Sequence, residues 1–499
     1  MNKILKMKKL LLLSTIGLFL VSFQKNEAQE IKKLTFEDVI VISEEQSPNA
    51  LMAKHRFRAS YWQYRTYVAQ YRPSLTLTGT TPDYSTAYSR VWNSVLKQWD
   101  YQETNVLQNL ASLSLSQNIG LTGGSISLNS DLTLENDFIK ESRKYITSPV
   151  SIRLTQPIFR YNSLKWQKRT EPLKYDAAKK TFLSNIEAVH QQAVMFFFSL
   201  ALAQINKQIA EMNYSNADTL YRIARGRYNL GTIAEDELLQ MQLSWLNTET
   251  ARKEAEMNLR DREIRLRSFL GFNETVRLEL ALPSEIPSLQ VNSVEVLDLA
   301  MANNPEILNQ QLTILTAQSS VAQAKAEKGL NANLVALFGL RDQDPDFPLA
   351  YQKSNQQQTV RVGITMPILD WGLGRGRYKM AQSSLELAQV QSEQALVDFE
   401  QNLLLDVEQF NLQANQVAIA AKSDTVAMKM FEVTKQRFLI GKIAVLELNN
   451  ADTKKDQNRR AYVQALQNYW NYFYNIRNLA LYDFINRKPL ETEYEKLLD

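Results

Sequence analysis

Cysteine is absent from all 499 residues, and histidine occurs only at positions 55 and 190. The first absence excludes disulfides and an N-terminal lipid-modified cysteine. The two together leave no material for a metal site built on His or Cys, and no cofactor is implied. No G-x-S-x-G, Walker or dinucleotide fingerprint occurs, and no nucleophile–base constellation supports a hydrolase. The chain therefore reads as a non-enzyme. Long apolar runs are also missing. The most apolar stretch past residue 28, AVMFFFSLALAQI at 193–205, is too short to cross a bilayer as a helix. A membrane form of this chain must enter as a closed barrel. Excess charge is the last absence. The formal net charge of +4 is carried by Lys3, Lys6, Lys8, Lys9 and Lys25 against Glu27, and the remainder is balanced. No basic face argues for nucleic acid.

Four of those lysines precede an apolar run at 10–23, and a small residue follows at Ala28. A basic start, a short apolar core and a small residue before a polar segment describe a secretory signal peptide over 1–28. The run is short for a membrane anchor and is broken by Ser14, Gly17 and Ser22.

What the chain does contain is an internal repeat. RYNLGTIAEDELLQ (227–240) returns as RFLIGKIAVLELNN (437–450). At a shift of 210, Gly231 meets Gly441, and Arg227, Ile233, Ala234, Glu237 and Leu238 meet identical residues. The same ungapped shift sets TQPIF (155–159) on TMPIL (365–369). Upstream, SPNALMAKHRF from Ser47 resembles NPEILNQQLTI from Asn304 at a shift of 257, so the first half holds 47 extra residues before TQPIF.

Each half then has one order of elements. A helix comes first, at about 36–71 and 294–329. Strands with period-2 alternation follow: 74–79, 112–116, 125–134 and 150–156 in the first half, 333–340 and 359–365 in the second. A very long helix comes next, at about 171–228 and 375–438, with Thr170 as an N-cap and Pro172 in the first turn. After the Gly segment the helix returns, at about 235–270 and 445–484. Gly231 and Gly441 thus mark hairpins, each at the position past a helix end that favours φ > 0. Two long antiparallel helices bury a stripe between them, to which Leu220, Ile223, Leu238, Leu239 and Met241 are assigned. The extra residues include two strands joined by a Gly-rich turn at 120–124, an inserted hairpin at about 80–147. It is expected at the rim of a barrel, with joining the wall as the alternative. Segments 83–108 and 135–147, polar and aromatic, are expected outside the cell. Trp62, Trp92, Trp99, Tyr61, Tyr64, Tyr67 and Tyr71 belong either to an interfacial belt or to the packing of helix ends.

The export signal, the duplicated halves, the TQPIF/TMPIL strand-to-helix motif with Pro157 and Pro367, and the R-[YF]-x-x-G hairpins together resemble the TolC family of outer-membrane efflux proteins. The resemblance covers nearly all of 35–485. It implies a mainly α fold with a β-barrel part: long helical hairpins forming a periplasmic tunnel below a trimeric barrel in outer-membrane lipid. The chain would divide into a first repeat at 29–272, a linker at 273–293, a second repeat at 294–485 and a polar tail at 486–499. The implied function is a passive exit duct of a tripartite efflux system in a Gram-negative bacterium, serving an inner-membrane transporter through a periplasmic adaptor. The alternatives are a type I protein-secretion duct of the same fold and a periplasmic coiled-coil scaffold without a pore. By the resemblance the adaptor meets the tips, at Arg227, Tyr228, Gly231, Thr232, Ile233, Arg437, Phe438, Gly441, Lys442 and Ile443. The periplasmic gate maps to Glu447 and Asn450, and Asn450 departs from the family's Asp.

Overall fold

The computed structural model describes residues 31–93, 97–272, 276–283, 285–352, 354–440, 442–443 and 445–498. The expected signal peptide and Gly441 lie outside the described residues. The first half opens with β1 (Ile31–Leu34), α1 (Phe36–Gln46) and α2 (Pro48–Ala69). Thr35 and Asp38 close a capping box at the start of α1. The single helix expected at 36–71 is therefore two helices. Pro48 lacks the N–H that would continue α1, and Ser47 before it is held extended at ψ 143°. Ser47 then caps α2, its hydroxyl accepting from the Ala50 N–H at 3.1 Å. Strands β2 (Ser74–Asn93), β3 (Gln98–Ile119), β4 (Gly124–Asp137) and β5 (Ser142–Ile158) follow, then α3 (Ser163–Asn229) and α4 (Glu235–Leu270). Thr170 is not the N-cap of α3. Asn162 is, accepting from the Lys165 N–H at 3.1 Å, and Pro172 is carried inside the helix at the loss of one main-chain bond.

The second half repeats this order with two strands fewer. β6 (Arg277–Leu280) pairs parallel with β1. Then come α5 (Ser293–Asn303) and α6 (Pro305–Glu327), split at Asn304–Pro305 for the reason that splits α1 from α2. β7 (Asn331–Asp344), the short α7 (Leu349–Gln352), β8 (Asn355–Thr365), α8 (Leu373–Leu439) and α9 (Val445–Ala480) follow. The 67-residue α3 and α8 each span about 100 Å at 1.5 Å per residue. After α9, β9 (Tyr482–Asp483) pairs with β10 (Lys488–Pro489). The terminal residues then fold back: Tyr494, Leu497 and Leu498 pack against Phe57 and Phe182.

The core lies at the waist of the helices. Ala193, Val194, Phe197, Phe198 and Leu200, from the apolar stretch of the sequence, are fully buried with Phe36, Val296, Leu403, Phe410 and Tyr469. Phe36 sits 5.3 Å from Phe197 and 4.7 Å from Trp470, ring centroid to centroid. Each such ring adds about 1.5–3 kcal/mol of transfer free energy, so α1 is held where four long helices converge.

The six long strands form one antiparallel sheet in the order β2-β3-β4-β5-β7-β8. The inserted hairpin is not a rim: β3 and β4 stand in the wall between β2 and β5. Register shows why. The ladder row Leu75–Leu115–Leu128–Ile152–Phe338 is apolar across five strands. The next row, Thr76–Ser114–Asn129–Ser151–Gly339–Gln357, is polar or glycine across all six. The inserted strands thus present the same two faces at the same height as their neighbours. Gly339 is required, because a Cβ there would meet Ser151 Cβ at 2.5 Å.

Candidate functional site

The first tip is a turn closed by its own backbone. α3 ends at Asn229, and Gly231 takes φ +69°. The Gly231 N–H donates to the Tyr228 carbonyl (2.8 Å) and the Thr232 N–H to the Arg227 carbonyl (2.9 Å). Those two bonds make a Schellman closure. Arg227, Tyr228, Thr232 and the apolar Leu230 face solvent, while Ile233 is half-buried. In the second tip the Lys442 N–H donates to the Arg437 carbonyl (3.0 Å), the same long bond as in the first copy. Arg437, Lys442 and Ile440 are exposed, and Ile443 is half-buried. Phe438 packs on Phe431, Leu448 and Ala451. The assigned inter-helix stripe needs correction: Leu220, Leu238 and Met241 are half-buried, but Ile223 and Leu239 are exposed. The buried seam falls on Ala217 and Ala224, with Tyr221 stacked on Trp245 at 5.6 Å.

Glu447 and Asn450 lie at the start of α9, both exposed, beside buried Leu448 and Ala451. Behind them is a charged cluster that sequence reasoning missed, although its residues are conspicuous in DTKKDQNRR at 452–460. Lys455 is 6% exposed, 2.5 Å from Asp452 and 3.3 Å from Asp456, with its ammonium 4.2 Å from the centre of the Phe431 ring. Arg459 pairs with buried Asp424 of α8 at 2.9 Å. The Asn213 amide donates to Asp456 at 3.0 Å, tying α3 to α9. These groups join the two halves just above the tips.

A second charged group sits at the waist. Buried His190 lies 3.3 Å from Glu44 and 3.4 Å from Glu187, and Arg477 bridges Glu187 (2.9 Å) and Asp483 (3.7 Å). Burial opposes a charge on His190, but the hydrogen bonds to Glu187 and Glu44 prevail and hold its pKa above the ordinary 6.5. The hydrogen bond from His190 holds Glu44 below the ordinary carboxylate value.

Pro157 is the last-but-one residue of β5, opposite Asn333, and the chain turns into α3 through Phe159 at φ +62°. Pro367 follows β8 on an exposed segment, and the chain turns into α8 through Trp371 at φ +53°. The two motifs occupy matching places, each between its strand and its long helix.

One surface feature has no partner among the described residues. Leu405, Leu412, Ile419, Val426, Val433 and Ile440 repeat every seven residues along α8, and all are more than half exposed. A row of that period stays on one side of the helix and supplies one of the two apolar positions of a coiled-coil seam. α4 exposes a matching series at Leu239, Leu243, Leu246, Met257 and Ile264. The heptad spacing was present in the sequence, but only the structure separates this outward seam from the inward one, where Leu403, Val407 and Phe410 are buried.

Comparison with known proteins gives one family and one fold. The model of the outer membrane efflux protein family matches residues 119–272 and 296–480. The Campylobacter jejuni CmeC outer membrane channel superposes with a TM-score of 0.66 at 14% identity, covering 93% of this chain and 90% of that one. The outer membrane protein VceC of Vibrio cholerae gives 0.60 at 13%, covering 89% and 95%. The open state of the Neisseria gonorrhoeae MtrE outer membrane channel gives 0.50 at 13%, covering 89% and 88%. None of the curated proteins matches the chain. At these identities the superpositions speak for the fold, and the family match, which takes in the long helices of both halves, carries the assignment: the chain belongs to the outer membrane efflux protein family.

Proposed function

We propose that the chain is the outer-membrane exit duct of a tripartite efflux system, a passive conduit that works as a homotrimer. The observation that carries this is the six-stranded sheet, apolar on one face and polar on the other, with β2 and β8 unpaired on their outer sides among the described residues. Open edges and one apolar face are unstable alone in water. Three such sheets close eighteen strands, at a radius of about 18 Å for strands about 4.8 Å apart tilted by about 40°. The apolar row then faces lipid and the polar row lines a water-filled lumen. The same three-fold assembly covers the α8 seam with a neighbouring copy, and α3, α4, α8 and α9 of each copy wall the tunnel. A pore-free scaffold would need the helices but not this sheet.

On this reading the exposed tips meet a periplasmic adaptor through Arg227, Tyr228, Thr232 and Ile233 in one copy and Arg437, Phe438, Lys442 and Ile443 in the other. Glu447 from three protomers converges at the axis near the periplasmic end, with Asn450 a neutral neighbour one turn on. Energy comes from an inner-membrane transporter. The test is fractionation followed by planar-bilayer recording. The protein is expected in the outer-membrane fraction, resistant to carbonate, as a conducting trimer. Release by carbonate, or a trimer that does not conduct, sinks the proposal.

A further inference from the structure

Above the wall, β2 and β3 continue alone as a two-stranded ribbon, because β4 stops pairing with β3 at Val106. Its cross-strand pairs sort by face. Tyr84–Leu107, Thr86–Asn105, Tyr88–Glu103, Arg90–Tyr101 and Trp92–Trp99 share one side, and Ser85–Val106, Ala87–Thr104 and Ser89–Gln102 share the other. The four aromatic residues of the ribbon, with Tyr84 at its base, therefore lie on one face. Tyr88 and Tyr101 are 72% and 71% exposed. Trp92 and Trp99 meet edge-on at 5.7 Å, with the Arg90 guanidinium 5.6 Å over Trp99.

The direction of that face follows from register. β3 runs without a register shift against β4, so Trp99, Tyr101 and Leu107 lie on the side of Leu113 and Leu115, the apolar outer side of the wall. β2 has a bulge between Thr80 and Asp83. The bulge switches its parity, so Tyr84, Tyr88 and Trp92 join the side of Leu75 and Leu77. Without it they would point into the lumen. From Ile119 at the lower turn to Leu107, a strand tilted by about 40° rises roughly 30 Å, beyond an apolar band about 25 Å tall. The aromatic face thus stands outside the wall and above the acyl chains.

The geometry points to a binding surface for the sugar–phosphate headgroups of outer-leaflet glycolipid. This rests on the reading that three sheets close a membrane barrel. Aromatic rings take the apolar faces of sugar rings, as amphipathic groups do at a wet boundary. Arg90 supplies a fork for phosphate, and Thr86, Glu103 and Asn105 offer partners for hydroxyls. Acyl chains are excluded as the occupant, since Arg90 and Glu103 on that face are costly in hydrocarbon. Ribbons of the other copies are excluded by direction, because the face points away from the axis.

The test uses the full-length trimer, delipidated and titrated with lipid A bearing a core oligosaccharide, with core-free lipid A as control, and read by native mass spectrometry. The triple variant Tyr88→Ser/Trp99→Ser/Tyr101→Ser is expected to bind the core-bearing lipid about tenfold more weakly. The opposite-face variant Ser89→Ala/Gln102→Ala is expected to bind it as wild type does, and core-free lipid A is expected to bind all three alike. In wild type, the core-bearing lipid will protect Trp92 and Trp99 from iodide quenching, measured against Trp92→Phe/Trp99→Phe; this second reading stands even if the triple variant misassembles. Equal affinity in wild type and the triple variant, or tryptophans already shielded in delipidated trimers, overturns the proposal while the duct stands. Trimers that never insert overturn the duct instead.

Discussion

Two glycines near the first tip make opposite predictions from the same open surroundings. A Cβ at Gly226 or at Gly231 would meet nothing within 4 Å, so packing decides neither case. Backbone conformation decides both. Gly226 lies in the last turns of α3, and alanine there removes the entropy that glycine loses in a helix, for a gain of up to about 1 kcal/mol. Gly231 is left-handed at φ +69°. Alanine there costs about 1 kcal/mol and valine about 2, since the Cβ crowds the following carbonyl. The global core lies far up the helices, so these energies act on local opening of the tip. One kcal/mol is a change of about fivefold in the open population. Hydrogen-exchange mass spectrometry over 226–240 reads this directly. Gly226→Ala will slow exchange, Gly231→Ala will speed it by about fivefold and Gly231→Val by more, while Gly231→Asn stays near wild type because Asn tolerates αL. No change in Gly231→Val refutes the assignment of strain to φ at 231, and faster exchange in Gly226→Ala refutes the helical account of 226.

Four further outcomes test other levels of the structure. Leu115→Arg puts a charge in the apolar row of an inserted strand and costs about 2–4 kcal/mol at mid-membrane; it will reduce trimers recovered from the outer membrane, while Ser114→Arg, one residue over on the polar face, will not. Lys455→Ala leaves Asp456 buried beside a lost partner and will lower thermal stability by about 3–5 kcal/mol, read by circular dichroism. His190, whose folded pKa is raised, contributes stability that is fully present below 6.5 and lost as pH rises through the folded value. The melting difference between wild type and His190→Gln will therefore be larger at pH 6 than at pH 8, and an equal difference at both values removes the charge from the account. Glu447→Ala will weaken block by multivalent cations from the periplasmic side and reduce cation preference in planar bilayers, with Glu237→Ala doing less; unchanged block takes Glu447 out of the gate.

The sequence by itself determined the elements and their duplication. Alternation placed six strands, and a glycine at one spacing placed two hairpins, because periodicity and φ > 0 are local properties of the chain. Helix ends were less legible. Pro48 and Pro305 each split a helix that composition alone would have run through, whereas Pro172 did not, since Asn162 caps α3 upstream of it. Only the tertiary structure decided where the inserted hairpin goes. SLSLS reads alike at a rim and in a wall, and the choice depends on which residue faces Leu115 across each ladder, a non-local fact. The same holds for the charged cluster around Lys455, where α9 meets Asp424 of α8 and Asn213 of the distant α3. It holds again for the α8 seam, where a heptad marks a coiled coil and burial alone tells which side still waits for a partner.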